Sequence, residues 1–331
     1  MDSLKMKRRL GLAAQSKFVF ILVCVVVLLF SCSSQTEQPP IADTAPFVVV
    51  LGVAQDAGLP QANCEKECCR AAWDDPSKRK MVSSLGIVDP QSGERWIIDA
   101  TPDFKDQLRL INEIAPSKND DPISGVLLTH GHMGHYTGLI HLGFEAMASK
   151  SVPVYAMPRM QSYLSNSGPW DQLLRMENIE IKPLQDGEET TLNARIKITP
   201  FLVPHRDEYT ETVGYVISGP EKSVMFIPDI DKWEKWQTRI EDKVAEVDRA
   251  YLDGSFFASA EVGGRDMSGF PHPFIVESMQ RFSELPSSER GKITFIHLNH
   301  TNPALDKNGA ARKEIEQAGF HVAETGERFS L

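Results

Sequence analysis

Three histidines that follow an apolar segment constrain this chain more than any other feature of its sequence. Residues 123–129 read ISGVLLT, a short apolar run typical of a buried strand. His130, His132 and His135 come directly after it. A strand that ends in a tight loop can bring several imidazoles to one point, and histidine is the commonest metal ligand. The pattern therefore favours a metal site over a histidine-rich loop that arose by chance.

Three further polar residues stand in the same context. His205 follows the segment ITPFLVP, Asp229 follows MFIP and His297 follows KITFI. Each taken alone is more often an ordinary residue at the rim of a sheet. Taken with the histidine cluster, their common position at strand ends predicts that all of them meet at one edge of the fold.

The remaining apolar segments predict an α/β domain over residues 47–331. Strand-like runs begin near Phe47 and recur at 84–88 and 95–99, and residues 103–114 have helical spacing. A helix is expected from about Tyr136. Beyond residue 179 further strand-like runs dominate, and a helix is expected at about 232–245. Each half thus has several strands followed by a helix. This plan predicts two sheets packed face to face with helices outside, which is a four-layer αββα sandwich.

The N-terminus has the features of an export signal. Basic residues within 5–17 precede the apolar run 18–30, which is shorter than the roughly 20 residues of a membrane-spanning helix. The run ends in LFSC and resembles the bacterial lipoprotein lipobox. The resemblance implies a signal peptide over 1–31, cleavage before Cys32, and lipid attached to its thiol. An uncleaved short anchor is the alternative.

The segment 32–46 lacks periodicity and is rich in Pro, Ser and Thr, which predicts a flexible tether. We therefore expect an exported lipoprotein of the bacterial cell envelope, held to the membrane by its lipid and facing the periplasm or the surface. The net charge of −10 and the absence of a basic block beyond the N-terminus argue against a nucleic-acid partner. A small-molecule substrate is expected, and the sequence does not indicate an oligomeric state.

The order of the polar residues resembles the metallo-β-lactamase superfamily. Its HxHxDH signature is followed by a lone His, an Asp and a last His, each at a strand end. The resemblance implies the αββα sandwich, catalytic roles for Asp229 and His135, and a structural role for Asp99 in WIIDATPDF. The implied metal ligands are His130, His132, His135, His205, Asp229 and His297.

One position departs from that signature. Its aspartate, which in the family ligates a second metal and helps to orient the attacking water, is Gly134 here. The departure predicts one tightly held catalytic ion and a weaker second one, and it predicts that Gly134→Asp raises the second affinity. Asp56 and Asp207 are alternative carboxylates for this role.

The cysteines predict a second metal site. The segments GVAQDAGLPQANC and FIHLNHTNP are similar to those of the pyrroloquinoline-quinone biosynthesis protein B family and of carbon–phosphorus lyase phosphodiesterases. In the phosphodiesterases a cysteine cluster and a late histidine hold structural zinc, which implies Cys64, Cys68, Cys69 and His300 here. Such a Cys₃His set also suits tetrahedral zinc on chemical grounds. A Cys64–Cys68 disulfide with Cys69 free is the alternative.

These residues predict a zinc-dependent hydrolase with one structural and one or two catalytic ions. Three histidines with one open position lower the pKa of zinc-bound water to about 7, which supplies hydroxide to attack an ester or a phosphodiester. An iron oxygenase is an alternative, because His135, His297 and Asp229 form a two-histidine, one-carboxylate set. A non-catalytic, metal-dependent binding lipoprotein is another. His272 is expected to be a loop residue first and a substrate contact second.

Overall fold

The computed structural model describes residues 44–117, 123–259, 261–262, 265–267 and 269–331. All described residues belong to one compact unit, Ile41–Leu331. The predicted signal peptide, Cys32 and the tether up to residue 43 lie outside the described residues. Within the described part, no helix combines the length and the apolar character needed to cross a membrane.

Two sheets of seven strands each form the centre of the fold. The strands are β1 (Phe47–Gly52), β2 (Ser84–Asp89), β3 (Glu94–Ile98), β4 (Gly125–Leu127), β5 (Val152–Ala156), β6 (Ile179–Pro183), β7 (Thr190–Thr191), β8 (Lys197–Leu202), β9 (Val213–Ser218), β10 (Ser223–Ile227), β11 (Arg249–Asp253), β12 (Ile293–Ile296), β13 (His321–Val322) and β14 (Arg328–Ser330). The sheet orders are β14-β1-β2-β3-β4-β5-β6 and β13-β12-β11-β10-β9-β8-β7. Each sheet is mixed, with antiparallel pairs on one side and parallel pairs on the other.

Short helices lie between the strands of the described chain. They are α1 (Glu67–Asp74), α2 (Phe104–Ile114), α3 (Met133–Tyr136), α4 (Pro158–Asn166), α5 (Trp170–Arg175), α6 (Ile240–Ala245), α7 (Ile275–Arg281), α8 (Ser287–Arg290) and α9 (Ala310–Gln317). Short 3₁₀ segments lie at Pro76–Lys78, Thr137–Leu142, Trp233–Lys235 and Pro303–Leu305.

Strand β1 shows how the sequence produces the layers. Successive side chains of a strand point to opposite faces of its sheet. Val48 and Val50 pack into the cluster between the sheets, whereas Val49 and Leu51 pack into the cluster beneath helix α2. Both faces of the strand are buried, which explains its unbroken apolar run. The four-layer αββα arrangement predicted from the sequence is confirmed.

The helical predictions were less accurate after the histidine cluster. A helix was expected from about Tyr136, but that stretch is the short helix α3 followed by a 3₁₀ turn. This segment packs closely against the chain after β3, since a β-carbon on Gly138 would lie 2.2 Å from the Thr101 carbonyl oxygen. The segment 232–245, expected to be one helix, is a 3₁₀ turn and the separate helix α6.

Candidate metal centre

Strand ends of both sheets meet at one edge of the sandwich. In the second sheet β10, β11 and β12 are parallel neighbours, so their carboxyl ends lie side by side. Asp229, Asp253 and His297 occupy or directly follow those ends. The histidine cluster after β4 and His205 after β8 approach from the other strands, and the structure brings all six predicted ligands to this edge.

The first group of ligand atoms contains three histidines and one carboxylate. His130 Nε2 lies 3.0 Å from His132 Nδ1, and His132 Nδ1 lies 3.3 Å from His205 Nε2. Asp229 Oδ2 is 3.4 Å from His130 Nε2 and 3.3 Å from His205 Nε2. A tetrahedral zinc site with ligand distances of 2.0–2.1 Å has edges of about 3.3 Å. The separations therefore fit one metal ion.

The second group shares Asp229 with the first. It contains His135, His297 and Asp56 as well. His135 Nε2 lies 3.2 Å from Asp56 Oδ1 and 3.8 Å from Asp229 Oδ2, and His297 Nε2 lies 3.4 Å from Asp56 Oδ1. His297 Nε2 is buried and has no hydrogen-bond partner among the described residues. A buried nitrogen without a hydrogen-bond partner fits the role of a metal ligand.

Asp207, the other carboxylate considered from the sequence, lies outside both groups. Its carboxylate accepts a hydrogen bond of 2.9 Å from the Thr212 hydroxyl. The four-residue groups of candidate ligands that the described residues form do not include it. Of the two alternative carboxylates considered from the sequence, Asp56 is the one that joins the second ligand group.

Every ligand histidine contacts an oxygen through the ring nitrogen that does not belong to its ligand group. His135 Nδ1 is 2.7 Å from Asp99 Oδ2, the contact expected of the structural aspartate. Ring nitrogens that face away from the metal are usually held in this way, which fixes the tautomer and the ring orientation. The remaining pairs are His130 with Thr129 (3.0 Å), His132 with Glu208 (2.9 Å), His205 with Asp231 (3.2 Å) and His297 with Ser255 (3.0 Å).

Burial and charge act in opposite directions on the pKa values of the centre. Burial alone would raise the pKa of Asp229, but the imidazoles of His205 and His272 hold it well below its usual range. Burial would lower the pKa of His135, but Asp99 and Asp56 hold it well above. Asp229 therefore stays ionised, as a ligand to a divalent cation must be.

His272 lies in the loop before helix α7, as expected, and its imidazole also contacts the carboxylates of the centre. Its Nδ1 lies 2.8 Å from Asp253 Oδ2 and 3.2 Å from Asp229 Oδ1, and its side chain is 7% exposed. Burial would lower the pKa of His272, but the two carboxylates hold it well above its usual range. The sequence contained one signal for this pair, since Asp253 ends a strand as Asp229 and His297 do.

The cysteine cluster forms separately, at the start of helix α1. Ligand atoms of Cys64, Cys68, Cys69 and His300 lie within 4.8 Å of one another. The cysteines are free, and Cys64 Sγ lies 3.8 Å from Cys68 Sγ, so the structure does not contain the alternative disulfide. Tetrahedral zinc with Zn–S distances of 2.3 Å has S–S edges of about 3.8 Å. The thiol geometry fits a metal ion.

Fold and site together define a protein of the metallo-β-lactamase fold with a His/Asp metal-binding cluster. Residues 94–297 match the family described as "Beta-lactamase superfamily domain", and the chain belongs to this family. The chain is similar to coenzyme PQQ synthesis protein B of Methylorubrum extorquens (strain PA1), at 26% identity over 300 residues, 84% of this chain and 98% of that protein. The predicted family resemblance is confirmed.

Solved structures show the same fold. Zn(2+)-bound PqqB from Methylobacterium extorquens superimposes with a TM-score of 0.73 at 24% identity, over 86% of this chain and 100% of that one. A diphosphatase of the PhnP family superimposes with a TM-score of 0.59 at 21% identity, over 86% of this chain and 98% of that one.

Proposed function

We propose that this protein is a zinc-dependent hydrolase that acts on a small ester- or phosphodiester-type substrate. The observation that carries the proposal is the pair of ligand groups that share Asp229, the first of them at distances that fit tetrahedral zinc. The likeness to a zinc-bound structure and to a diphosphatase supports it.

The protein's own residues hold the metal centre in place and donate a proton to the leaving group. Bound metal ions supply water that ionises near neutral pH and positive charge beside the group under attack. Asp229 and His135 hold the centre together, since both are buried and Asp229 contacts both groups. His272 Nδ1 lies 2.8 Å from Asp253 Oδ2 and 3.2 Å from Asp229 Oδ1, and these two carboxylates favour the protonated imidazole. We assign His272 as the donor of a proton to the leaving oxygen.

The centre is accessible from one side. The side chains of Asp56 and Glu208 are 42% and 49% exposed, and that of His132 is 14% exposed, whereas Asp229 is 3% exposed. Arg206 adds an exposed cation at this rim, with Nη1 3.6 Å from Glu208 Oε1. Because Glu208 pairs with this cation and Asp56 adds a further negative charge, the rim side chains do not by themselves favour an anionic phosphodiester over a neutral ester.

The iron alternative fits the structure less well. An Fe(II) oxygenase of the facial-triad type has two histidines and one carboxylate with open positions. Here Asp56 adds a second carboxylate to His135, His297 and Asp229. We therefore place zinc-dependent hydrolysis first.

We also propose that the domain works outside the cytoplasm as a lipoprotein anchored through Cys32. Support comes from the sequence alone, in the short apolar run and the LFSC segment. The tether would hold the centre away from the membrane surface, where a small substrate can reach it.

A substrate screen tests the proposed activity. Protein stripped with a chelator and reloaded with zinc should hydrolyse bis(p-nitrophenyl) phosphate or p-nitrophenyl esters, and His132→Ala should abolish this activity. His321→Asn changes an exposed histidine that lies outside both ligand groups and serves as the control. Zinc binding without turnover of any such substrate would favour the binding lipoprotein. Iron-dependent oxygen consumption would favour the oxygenase.

A further inference from the structure

Asp56 occupies the space that a side chain at position 134 would need. A β-carbon placed on Gly134 would lie 2.5 Å from Asp56 Cα and 2.5 Å from Asp56 Oδ1. Real β-carbons essentially never lie closer than 3.0 Å to a heavy atom of a residue that is not their neighbour in the chain. The two positions therefore cannot both carry an aspartate without movement of the backbone.

We propose that Asp56 supplies to the second metal position the carboxylate that the HxHxDH signature takes from the residue at position 134. The carboxylate then comes from the loop after β1 instead of the loop after β4. Gly134 is the residue that makes room for it. The inference rests on the metal centre of the proposed function and deepens it by naming a ligand.

The loop that carries Asp56 is fixed to the strand end that carries His297. Leu298 N donates to Val53 O at 2.8 Å, and Gln55 N donates to Leu298 O at 2.9 Å. The Asn299 side chain donates to Gln55 Oε1 at 2.6 Å. These bonds join the residues just before Asp56 to the residues just after His297 and hold the two side chains together, with Asp56 Oδ1 3.4 Å from His297 Nε2.

The backbone and charge of Asp56 agree with a ligand role. Its φ is +25°, a left-handed value that side chains rarely adopt and that clusters at functional sites. Its carboxylate faces two ligand imidazoles, with Oδ1 3.2 Å from His135 Nε2 and 3.4 Å from His297 Nε2. Another role is an ion pair with protonated His135, and that role predicts no loss of metal when Asp56 is replaced.

Zinc titration by calorimetry separates these roles without any use of activity. In chelator-stripped protein, Asp56→Ala should lower the affinity for one catalytic zinc ion by about tenfold to a hundredfold or more. The affinity for the other catalytic ion should stay unchanged. Asp56→Asn keeps the side-chain volume and guards against a folding defect. Gly134→Asp alone should lower the melting temperature in chelator, because its new side chain meets Asp56.

An exchange variant gives the sharpest result. Asp56→Gly combined with Gly134→Asp returns the carboxylate to the signature position and should restore the second ion to within a few-fold of its natural affinity. Asp207→Asn is the matched control, since that carboxylate lies outside both groups, and it should titrate like the natural chain.

Two outcomes would overturn the proposal. One is an Asp56→Ala variant that binds both catalytic ions as the natural chain does, and the other is an exchange variant that folds but binds only one. If the exchange variant does not fold, the Asp56→Ala and Asp56→Asn titrations decide. Two ions bound in the natural chain without hydrolysis of any substrate would contradict the proposed function and leave the role of Asp56 intact.

Discussion

The orientation of each ligand imidazole depends on an oxygen that contacts the ring nitrogen facing away from the metal position. Asp231 is such a partner, 3.2 Å from His205 Nδ1, and it also accepts a 2.7 Å bond from Lys235. Loss of a partner of this kind typically lowers metal affinity by about tenfold to a hundredfold. We therefore expect Asp231→Asn to lower the zinc affinity of the first group by that factor in a zinc titration. Asp171→Asn, which alters an exposed pair with Arg175, should change nothing.

The proposed proton donor gives a second prediction at this scale. A donor matters most when the leaving oxygen is basic. Changing His272 to Asn should therefore lower kcat by about a hundredfold for alkyl phosphodiesters and much less for p-nitrophenyl ones. Zinc content should stay unchanged. Equal losses for the two leaving groups would mean that His272 acts only by holding Asp229.

The ligand residues were largely accessible from the sequence, because each follows an apolar strand. Asp56 and His272 were harder to assign. Asp56 lies 79 positions before His135, and only the packing of two loops places its carboxylate 3.2 Å from that imidazole. The expectation that Gly134→Asp strengthens the second ion is not supported, since it assumed empty space beside Gly134 that Asp56 fills.

Among the elements, strands were predicted better than helices. Strands buried on both faces keep continuous apolar runs, which a sequence displays directly. The short helices depend on tertiary contacts instead. Helix α1 has eight residues and contains two of the clustered cysteines, so we expect a metal ion to stabilise it where helical propensity does not suffice.

The cysteine cluster therefore predicts a stability effect. Changing Cys68 to Ser should lower zinc content by one ion and reduce Tm by roughly 5–10 °C, at about 2–4 °C per kcal/mol for a domain of this size. Differential scanning calorimetry and elemental analysis measure both. Arg70→Ala changes an exposed residue of the same helix and should leave both unchanged. Unchanged melting and zinc in the serine variant would refute the structural zinc.

At the scale of the whole molecule, the two sheets build one edge at which both halves of the chain supply ligands. The domain over 47–331 and its N-terminal tether are expected to be joined to the membrane through lipid on Cys32. Mass spectrometry of membrane-extracted protein should show a diacylglyceryl cysteine at that position, and Cys32→Ser should abolish it. Cys24→Ser, within the apolar run, is the control and should keep the lipid. A mature chain that begins at Met1 would contradict lipidation.

The most direct test of the central claim follows hydrolysis as the metal centre fills. Chelator-stripped protein should receive zinc in steps while bound zinc and the rate on bis(p-nitrophenyl) phosphate are measured together. We expect no rate in the stripped protein, a rise in step with occupancy of the His/Asp cluster, and no rise in the His132→Ala variant. Hydrolysis that persists in the fully stripped protein, or that rises equally in the His132→Ala variant, would contradict a metal-dependent hydrolase at this site.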